Sequence, residues 1–400
     1  MITLDSEIIR RVQHLSDIVE KHEKWRNNDC LNLISSENIM SLKARSLLSS
    51  DLVHRYTARD NFYGGTKFIN EIESFVSETA SKVFNSKHAD VRSLSGHVCN
   101  LAVLTLLPMA NNSVIAVSPE NGGYPGMARD ALGSMLNLNI DYFPYSDELM
   151  NLKVDECKHV LSDINPNLIL FGSSFIPFPH PVTQLNSSSK DSISVFDGSH
   201  VLGLIAGKEF QDPLSEGCDI LIGSTHKSFF GPQGGIILSN NSELFNIIDQ
   251  SMFPTIIDNA HWNRIASLGY ALLEMEQFGK EYASQIIRNS KALSSHLNEL
   301  GVPVKGKQLG FTDSHQIVLE YDSDYSAELS AKLQTFNIII DKGIRLGTSE
   351  ITRRGMNESD MIRVGDIFYE SIQPSVERSS IIKKVDNLLN EFNEPKFTFK

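Results

Sequence analysis

Asp219-Ile-Leu-Ile-Gly-Ser-Thr-His-Lys-Ser-Phe-Phe-Gly-Pro-Gln-Gly-Gly235 is the stretch on which the reading of the fold turns. Ile220 to Ile222 form a short apolar run closed by Gly223, the pattern of a buried strand. Ser224 and Thr225 make a small polar turn that delivers His226 and Lys227 at the strand's C-terminal edge. Gly231, Gly234 and Gly235 let the chain turn sharply into a second apolar run, Ile236 to Leu238. A lysine at the lip of a buried strand has what Schiff-base chemistry requires, because partial desolvation lowers the pKa of its amine and packing fixes it in space. Taken alone, the segment favours an ordinary solvated lysine.

The balance changes thirty residues upstream, where the short apolar strand Ser194-Val-Phe-Asp197 ends in a carboxylate and His200 follows three residues on. Pyridoxal phosphate needs three protein groups that differ in kind: a lysine for its aldehyde, an acid that keeps the pyridine nitrogen protonated, and a cradle for its phosphate. Lys227 suits the first role and Asp197 the second. His200 suits packing on the ring or hydrogen bonding to its phenolic oxygen. Asp197 equally fits a helix N-cap and His200 a satisfied core histidine, and it is their combination with Lys227 that favours the site. Ser95, Gly96 and His97 open a helix expected over 101–107, where free N–H groups and the dipole favour phosphate; Ser95 also fits an ordinary N-cap.

Working outward, apolar runs at 114–117, 168–171, 194–197 and 220–222 alternate with helical stretches. This predicts an α/β fold with a mostly parallel sheet flanked by helices, and chemistry at the C-terminal ends of the strands. Residues 5–25 place Ile8, Ile9, Val12, Leu15, Ile18 and Val19 at helical spacing, a stripe that must bury itself against the body or a partner subunit. A long helix is expected from His261 to Leu300, crossing into a smaller α+β region. The organisation predicted is an N-terminal helical arm (1–25), a large cofactor-binding domain (26–275) and a small C-terminal domain (276–400). In the last, Gly343-Ile-Arg-Leu-Gly-Thr348 sets Arg345 between glycines, suited to a bidentate grip on a carboxylate or to a structural salt bridge.

Composition bounds the function. The 400 residues are 41% hydrophobic with net charge −13 and a pI near 5.4, which disfavours nucleic acid and anionic membranes as partners. Cys30, Cys99, Cys157 and Cys218 form neither a CxxC pair nor a metal-ligand spacing, so no metal is expected and a reduced, cytoplasmic protein is the simplest reading. The first residues show no signal-peptide pattern, and no apolar run is long enough for a membrane span.

Leu33-Ile-Ser-Ser-Glu-Asn38, Tyr63-Gly-Gly65, Ser95-Gly96, Phe196-Asp-Gly-Ser-His-Val-Leu-Gly-Leu204, Ser224 to Gly235, Gly343 to Thr348 and Ile351-Thr-Arg-Arg-Gly355 together resemble the serine hydroxymethyltransferases, in particular the archaeal form. The resemblance covers about residues 30–375 and implies a fold-type I pyridoxal-phosphate enzyme. Carried over position by position, it implies Lys227 as the cofactor's covalent partner, Asp197 at the pyridine nitrogen and His200 against the ring. Ser95, Gly96 and His97 would cradle the phosphate, with Thr225 and His226 beside them, and Ser174 would reach the phenolic oxygen. Ser36 and Arg345 would take the substrate carboxylate. Tyr56 and Tyr63 would enter from the other subunit of a homodimer with shared sites, or of a tetramer.

Three departures stand against this background. The family follows its first tyrosine with Ala-Glu, the glutamate being the acid/base of pterin-dependent transfer, whereas this chain reads Tyr56-Thr57-Ala58-Arg59-Asp60. The family's histidine-rich stretch over the cofactor is Asn121-Gly-Gly-Tyr124, where Tyr124 is expected to supply the stacking face. The long loop that helps form the pterin pocket is replaced by Asn337-Ile-Ile-Ile-Asp-Lys342. Loss of an acid/base group commonly costs about 10²–10⁴-fold in rate. The expectation is therefore an enzyme that makes or breaks the Cα–Cβ bond of β-hydroxy amino acids (glycine, serine, threonine) with an aldehyde partner, tetrahydropterin being doubtful. The alternatives are a pterin-dependent hydroxymethyltransferase with a one-carbon donor and, more remotely, a catalytically silent binding homologue.

Overall fold

The computed structural model describes residues 5–57, 62–189, 191–343 and 345–399. The apolar runs become the strands of a seven-stranded sheet: β1 (His88–Asp90), β2 (Ser113–Ala116), β3 (Asn139–Tyr142), β4 (Leu168–Phe171), β5 (Ile193–Asp197), β6 (Ile220–Ser224) and β7 (Gly235–Ser239). Their order across the sheet is β1-β7-β6-β5-β4-β2-β3. The five strands β3, β2, β4, β5 and β6 are mutually parallel, while β7 runs antiparallel to both β6 and β1. The central strands β4 and β6 are buried along their whole length. That is why they read as continuous apolar runs rather than as alternating ones.

Helices cover the sheet, among them α2 (Lys67–Phe84), α3 (Gly96–Leu106) and α4 (Trp262–Glu299), while α1 (Ser6–Glu23) stands ahead of them. At 38 residues α4 is about 57 Å long and threads two hydrophobic cores. Leu268, Leu272, Met275, Tyr282 and Ile286 lie in the core beneath the sheet; Leu293 and Leu297 lie in a second core. Leu31 and Leu33 join that second core, so the chain enters it near its start and again past the middle of α4. There Leu31–Asn32 pairs in parallel with Ile338–Ile339, and Gln316–Val318 pairs antiparallel with Arg345–Gly347. Helices α5 (Glu358–Ile372) and α6 (Arg378–Leu389) close this unit. A fully buried ion pair, Arg353 to Glu274 at 2.8 Å, ties it to α4.

The leading helix forms as its periodicity predicts, with Asp5 accepting the Glu7 N–H as its N-cap. None of its residues is buried, and Ile8, Ile9, Val12, Leu15, Ile18 and Val19 are all at least 49% exposed within the single chain. All four cysteines are buried and unpaired. Among the described residues, no helix is long and apolar enough to cross a membrane, and no cluster of His, Cys, Asp and Glu is placed to hold a metal.

Candidate active site

Five chain segments converge at the C-terminal edge of the parallel strands: the start of α3, the end of β2 with the stretch on to Met127, the turn after β4, the end of β5 and the turn after β6. They enclose a cavity of about 220 Å³ bordered by Ser95, Gly96, Asp197, His200, His226 and Lys227. His97, Tyr124 and Ser174 complete the set of expected residues at its wall.

Lys227 leaves the turn after β6 with its backbone carbonyl held by the Asn38 amide at 2.9 Å. Burial lowers its pKa from the ordinary lysine value; Asp197 opposes the shift and Arg345 adds to it. The amine is thus biased toward the neutral, nucleophilic form while an anion stays within reach. Asp197 is aimed by two donors, the Asn100 side chain at 2.7 Å and the Ser199 N–H at 2.9 Å. The Ser199 bond is a local turn and not a helix cap, since the helix that follows, Leu202–Ala206, has Val201 at its N-cap; the Asn100 bond comes from α3 and presents the carboxylate to the cavity. Gly172 lets this end of the sheet close up: its φ is +90°, and a Cβ there would lie 2.1 Å from the Asp197 carbonyl oxygen.

The start of α3 turns the positive end of a helix toward the cavity. Ser95 is the N-cap, accepting the Val98 N–H at 3.1 Å, so the capping alternative and the cavity position both hold. Gly96 has no room for a side chain, since a Cβ would lie 2.3 Å from Ser224 Oγ and 2.8 Å from Ser199 Oγ. Hydroxyls therefore crowd the free N–H groups at the positive end of a helix. His226 adjoins them, its Nδ1 buried without a partner and its pKa pushed down to about 4 by burial and by Lys227. His97 Nδ1 meets the Tyr124 hydroxyl at 2.7 Å, which anchors that ring at the cavity wall.

Arg345 is 8% exposed. Its guanidinium lies 4.4 Å over the Phe175 ring, donates to the Ser174 carbonyl, and pairs with Asp341 at 3.1 Å, while its Nε is buried without a partner. Ser36 is half-buried in the turn after Ile34 and does not line the cavity. Thr225 is buried with its hydroxyl donating to Pro232 O at 2.6 Å, and it is not at the cavity wall either. Tyr56 and Tyr63 lie edge-to-face, their centroids 5.0 Å apart, with the Tyr56 hydroxyl on Asp258 and outside this cavity. Ala58, Arg59 and Asp60 lie outside the described residues.

Several cavity residues escape the sequence reading. Asn100 sits one helical turn after Gly96 and Ser199 two residues after Asp197, spacings from which both were recoverable. Ser173 and Ser224 flank expected residues. Gln316, which touches His200, carries no sequence signal at all.

The profile of serine hydroxymethyltransferase matches residues 10–368. The chain belongs to the serine hydroxymethyltransferase family. It is 38% identical over 409 residues to the serine hydroxymethyltransferase of Methanothermobacter marburgensis, covering 97% of this chain and 96% of the relative. It is 40% identical over 375 residues to that of Methanothermobacter thermautotrophicus, covering 88% of each. Among solved structures it is similar to an L-threonine transaldolase from Pseudomonas fluorescens in its internal aldimine state, with TM-score 0.91 and 26% identity over 98% of this chain and 94% of that one. The fold is that of the fold-type I pyridoxal-phosphate enzymes, and the protein is a pyridoxal-phosphate-dependent enzyme of the aldolase/transferase type acting on amino acids. The residues present fit that cofactor: a desolvated amine, an aimed carboxylate, and a cradle of hydroxyls and helix N–H groups beside an unpartnered histidine nitrogen.

Proposed function

We propose that this member of the family makes and breaks the Cα–Cβ bond of β-hydroxy amino acids by exchange with an aldehyde, without a tetrahydropterin. Bound pyridoxal phosphate supplies an electron sink for the charge that develops at Cα. Lys227 supplies the amine and, at Nζ, a group that can carry a proton, its neutral form favoured by burial. Asp197, held by Asn100 and Ser199, offers its carboxylate to the pyridine nitrogen. The Ser95–Gly96 start of α3 would hold the phosphate, and Tyr124, anchored through His97, would supply the stacking face. Arg345 binds the substrate carboxylate and so sets which Cα bond is oriented for cleavage. Ser174, at the cavity wall, would reach the phenolic oxygen of the cofactor, and Ser36 would join Arg345 on the substrate carboxylate. Tyr56 and Tyr63, exposed and away from this chain's cavity, complete the site of a second copy in a homodimer.

The observation that carries the pterin-free reading is the sequence Tyr56-Thr57-Ala58-Arg59, which lacks the family's acid/base glutamate. The short connection between Ile338–Ile339 and Arg345–Gly347 and the likeness to a threonine transaldolase support it. The competing reading, pterin-dependent hydroxymethyl transfer, is favoured by relatives that carry the hydroxymethyltransferase name. Serine-to-glycine conversion by the loaded enzyme, with and without a tetrahydropterin and with allo-threonine alongside, separates the two. Cleavage of allo-threonine with no response to pterin is expected; strong pterin-dependent conversion of serine refutes the proposal.

A further inference from the structure

Gln316 is fully buried at the start of the strand Gln316–Val318, and its side chain reaches three separate groups. Its Oε1 accepts the Ile176 N–H at 2.8 Å, and its Nε2 donates to the Ser174 carbonyl at 3.0 Å. Each bond alone fixes the amide orientation, because a flipped amide would set N–H against N–H and oxygen against oxygen. The same Nε2 lies 3.2 Å from His200 Nδ1. A nitrogen facing that donor must be an acceptor, so the neutral His200 ring carries its proton on Nε2. His200 lines the cavity with Nδ1 turned away to Gln316, which leaves Nε2 for the cavity.

We propose that Gln316 is a positioning residue that fixes His200 as the Nε2-protonated tautomer, so that the ring presents an N–H rather than a lone pair to the cofactor. A second buried histidine supports the arrangement. His315 is stacked nearly parallel to His200 at 6.3 Å, and its Nε2 lies 2.9 Å from the Ser35 carbonyl, which makes that nitrogen the donor. Asp197 lines the same cavity, and the groups that shift His200 are Lys227, Arg345, His315 and His226. Burial, together with these groups, holds it well below the ordinary histidine range, which preserves the neutral ring whose tautomer Gln316 selects. Gln316 also shares the Ser174 carbonyl with Arg345. Arg345 keeps its own contacts with Asp341 and Phe175, so the clamp does not depend on the Gln316 amide.

The inference rests on the cavity being the cofactor's, and the test separates the two. In ¹⁵N-histidine-labelled holoenzyme, the His200 signals are those lost in His200→Asn. At neutral pH they are expected to show a bare Nδ1 and a protonated Nε2, and a protonated Nδ1 in the wild type overturns the proposal. Gln316→Met keeps the bulk of the side chain without the amide. It is expected to give mixed tautomers, an altered visible band of the bound cofactor, and a lower kcat with the amino-acid KM less affected; an unchanged His200 spectrum overturns the proposal. Gln316→Glu retains the acceptor for Ile176 but opposes a carboxylate oxygen to Nδ1. It is expected to move the proton to Nδ1 and to raise the His200 pKa, since an opposite charge favours the protonated ring; a spectrum like the wild type's has the same adverse meaning. Because the wild-type spectrum and Gln316→Met decide the matter, the test survives failure of Gln316→Glu to fold. If His200 Nε2 does not respond when pyridoxal phosphate is added to the apoenzyme, the assignment of the cavity fails instead.

Discussion

At the scale of single residues, the site depends on charges kept where water would normally hold them. Lys227 is the clearest instance: burial favours its neutral amine, and Asp197 limits the shift. Lys227→Ala is expected to lower turnover by about 10³-fold or more, the scale on which loss of a nucleophile registers. The variant should retain weak binding of pyridoxal phosphate through the α3 cradle, which spectroscopic titration can follow. Full activity would remove Lys227 from its assigned role. Arg345 is held by Asp341, Phe175 and Ser174 and keeps an unpartnered Nε. A charge-assisted contact is worth about 1.5–3 kcal/mol. Arg345→Ala should therefore raise the amino-acid KM by about 10–100-fold with little change in the cofactor's absorption, and steady-state kinetics with a KM like the wild type's would dismiss the clamp.

At the scale of elements, strand ends and helix starts decide where those residues stand. The loop after β4 passes so close to β5 that only glycine fits at position 172. Gly172→Ala would combine a φ of +90° with a 2.1 Å approach to the Asp197 carbonyl. It is expected to cost about 1–3 kcal/mol in urea unfolding and to weaken cofactor binding by displacing Asp197. Unaltered stability together with unaltered binding would show that the loop yields more easily than its geometry implies. The strands themselves were legible because the central ones are buried on both faces. The small-domain strands are only two or three residues long, and their pairing of residues 31–32 with 338–339 links segments some three hundred residues apart. Local periodicity carries no record of such a pairing.

At the scale of the whole molecule, buried histidines couple stability to pH. The folded pKa of His180 is pushed down to about 4 and that of His315 to about 3, in both cases mainly by burial, against 6.5 when exposed. Between those values the unfolded chain binds more protons than the folded one, so the stability they contribute is present above pH 6.5 and is lost as pH falls toward 4. Melting temperature should decline over that window, with a shallower slope in His180→Asn; identical slopes would assign the effect to other groups. The apolar stripe of α1 is exposed along the single chain. Such a stripe is stable when a second surface buries it. Light scattering should report an oligomer for the full chain and a smaller species once residues 1–23 are removed, and an unchanged mass would place α1 outside the subunit contact.

The sequence by itself determined the alternation of buried strands and amphipathic helices, the positions of Lys227, Asp197, His200 and Arg345, and the family they point to. These are local: a hydrophobic period, a glycine at a turn and a charged residue at a strand end are all written in neighbouring residues. Only the tertiary structure decided that Asn100 aims Asp197, that Thr225 serves its own turn rather than the cavity, that Asp341 occupies the Arg345 guanidinium, and that Gln316 faces His200. A hydrogen bond between residues 97 or 116 positions apart depends on how separate elements pack, and that geometry is set by the whole core rather than by any segment of the chain.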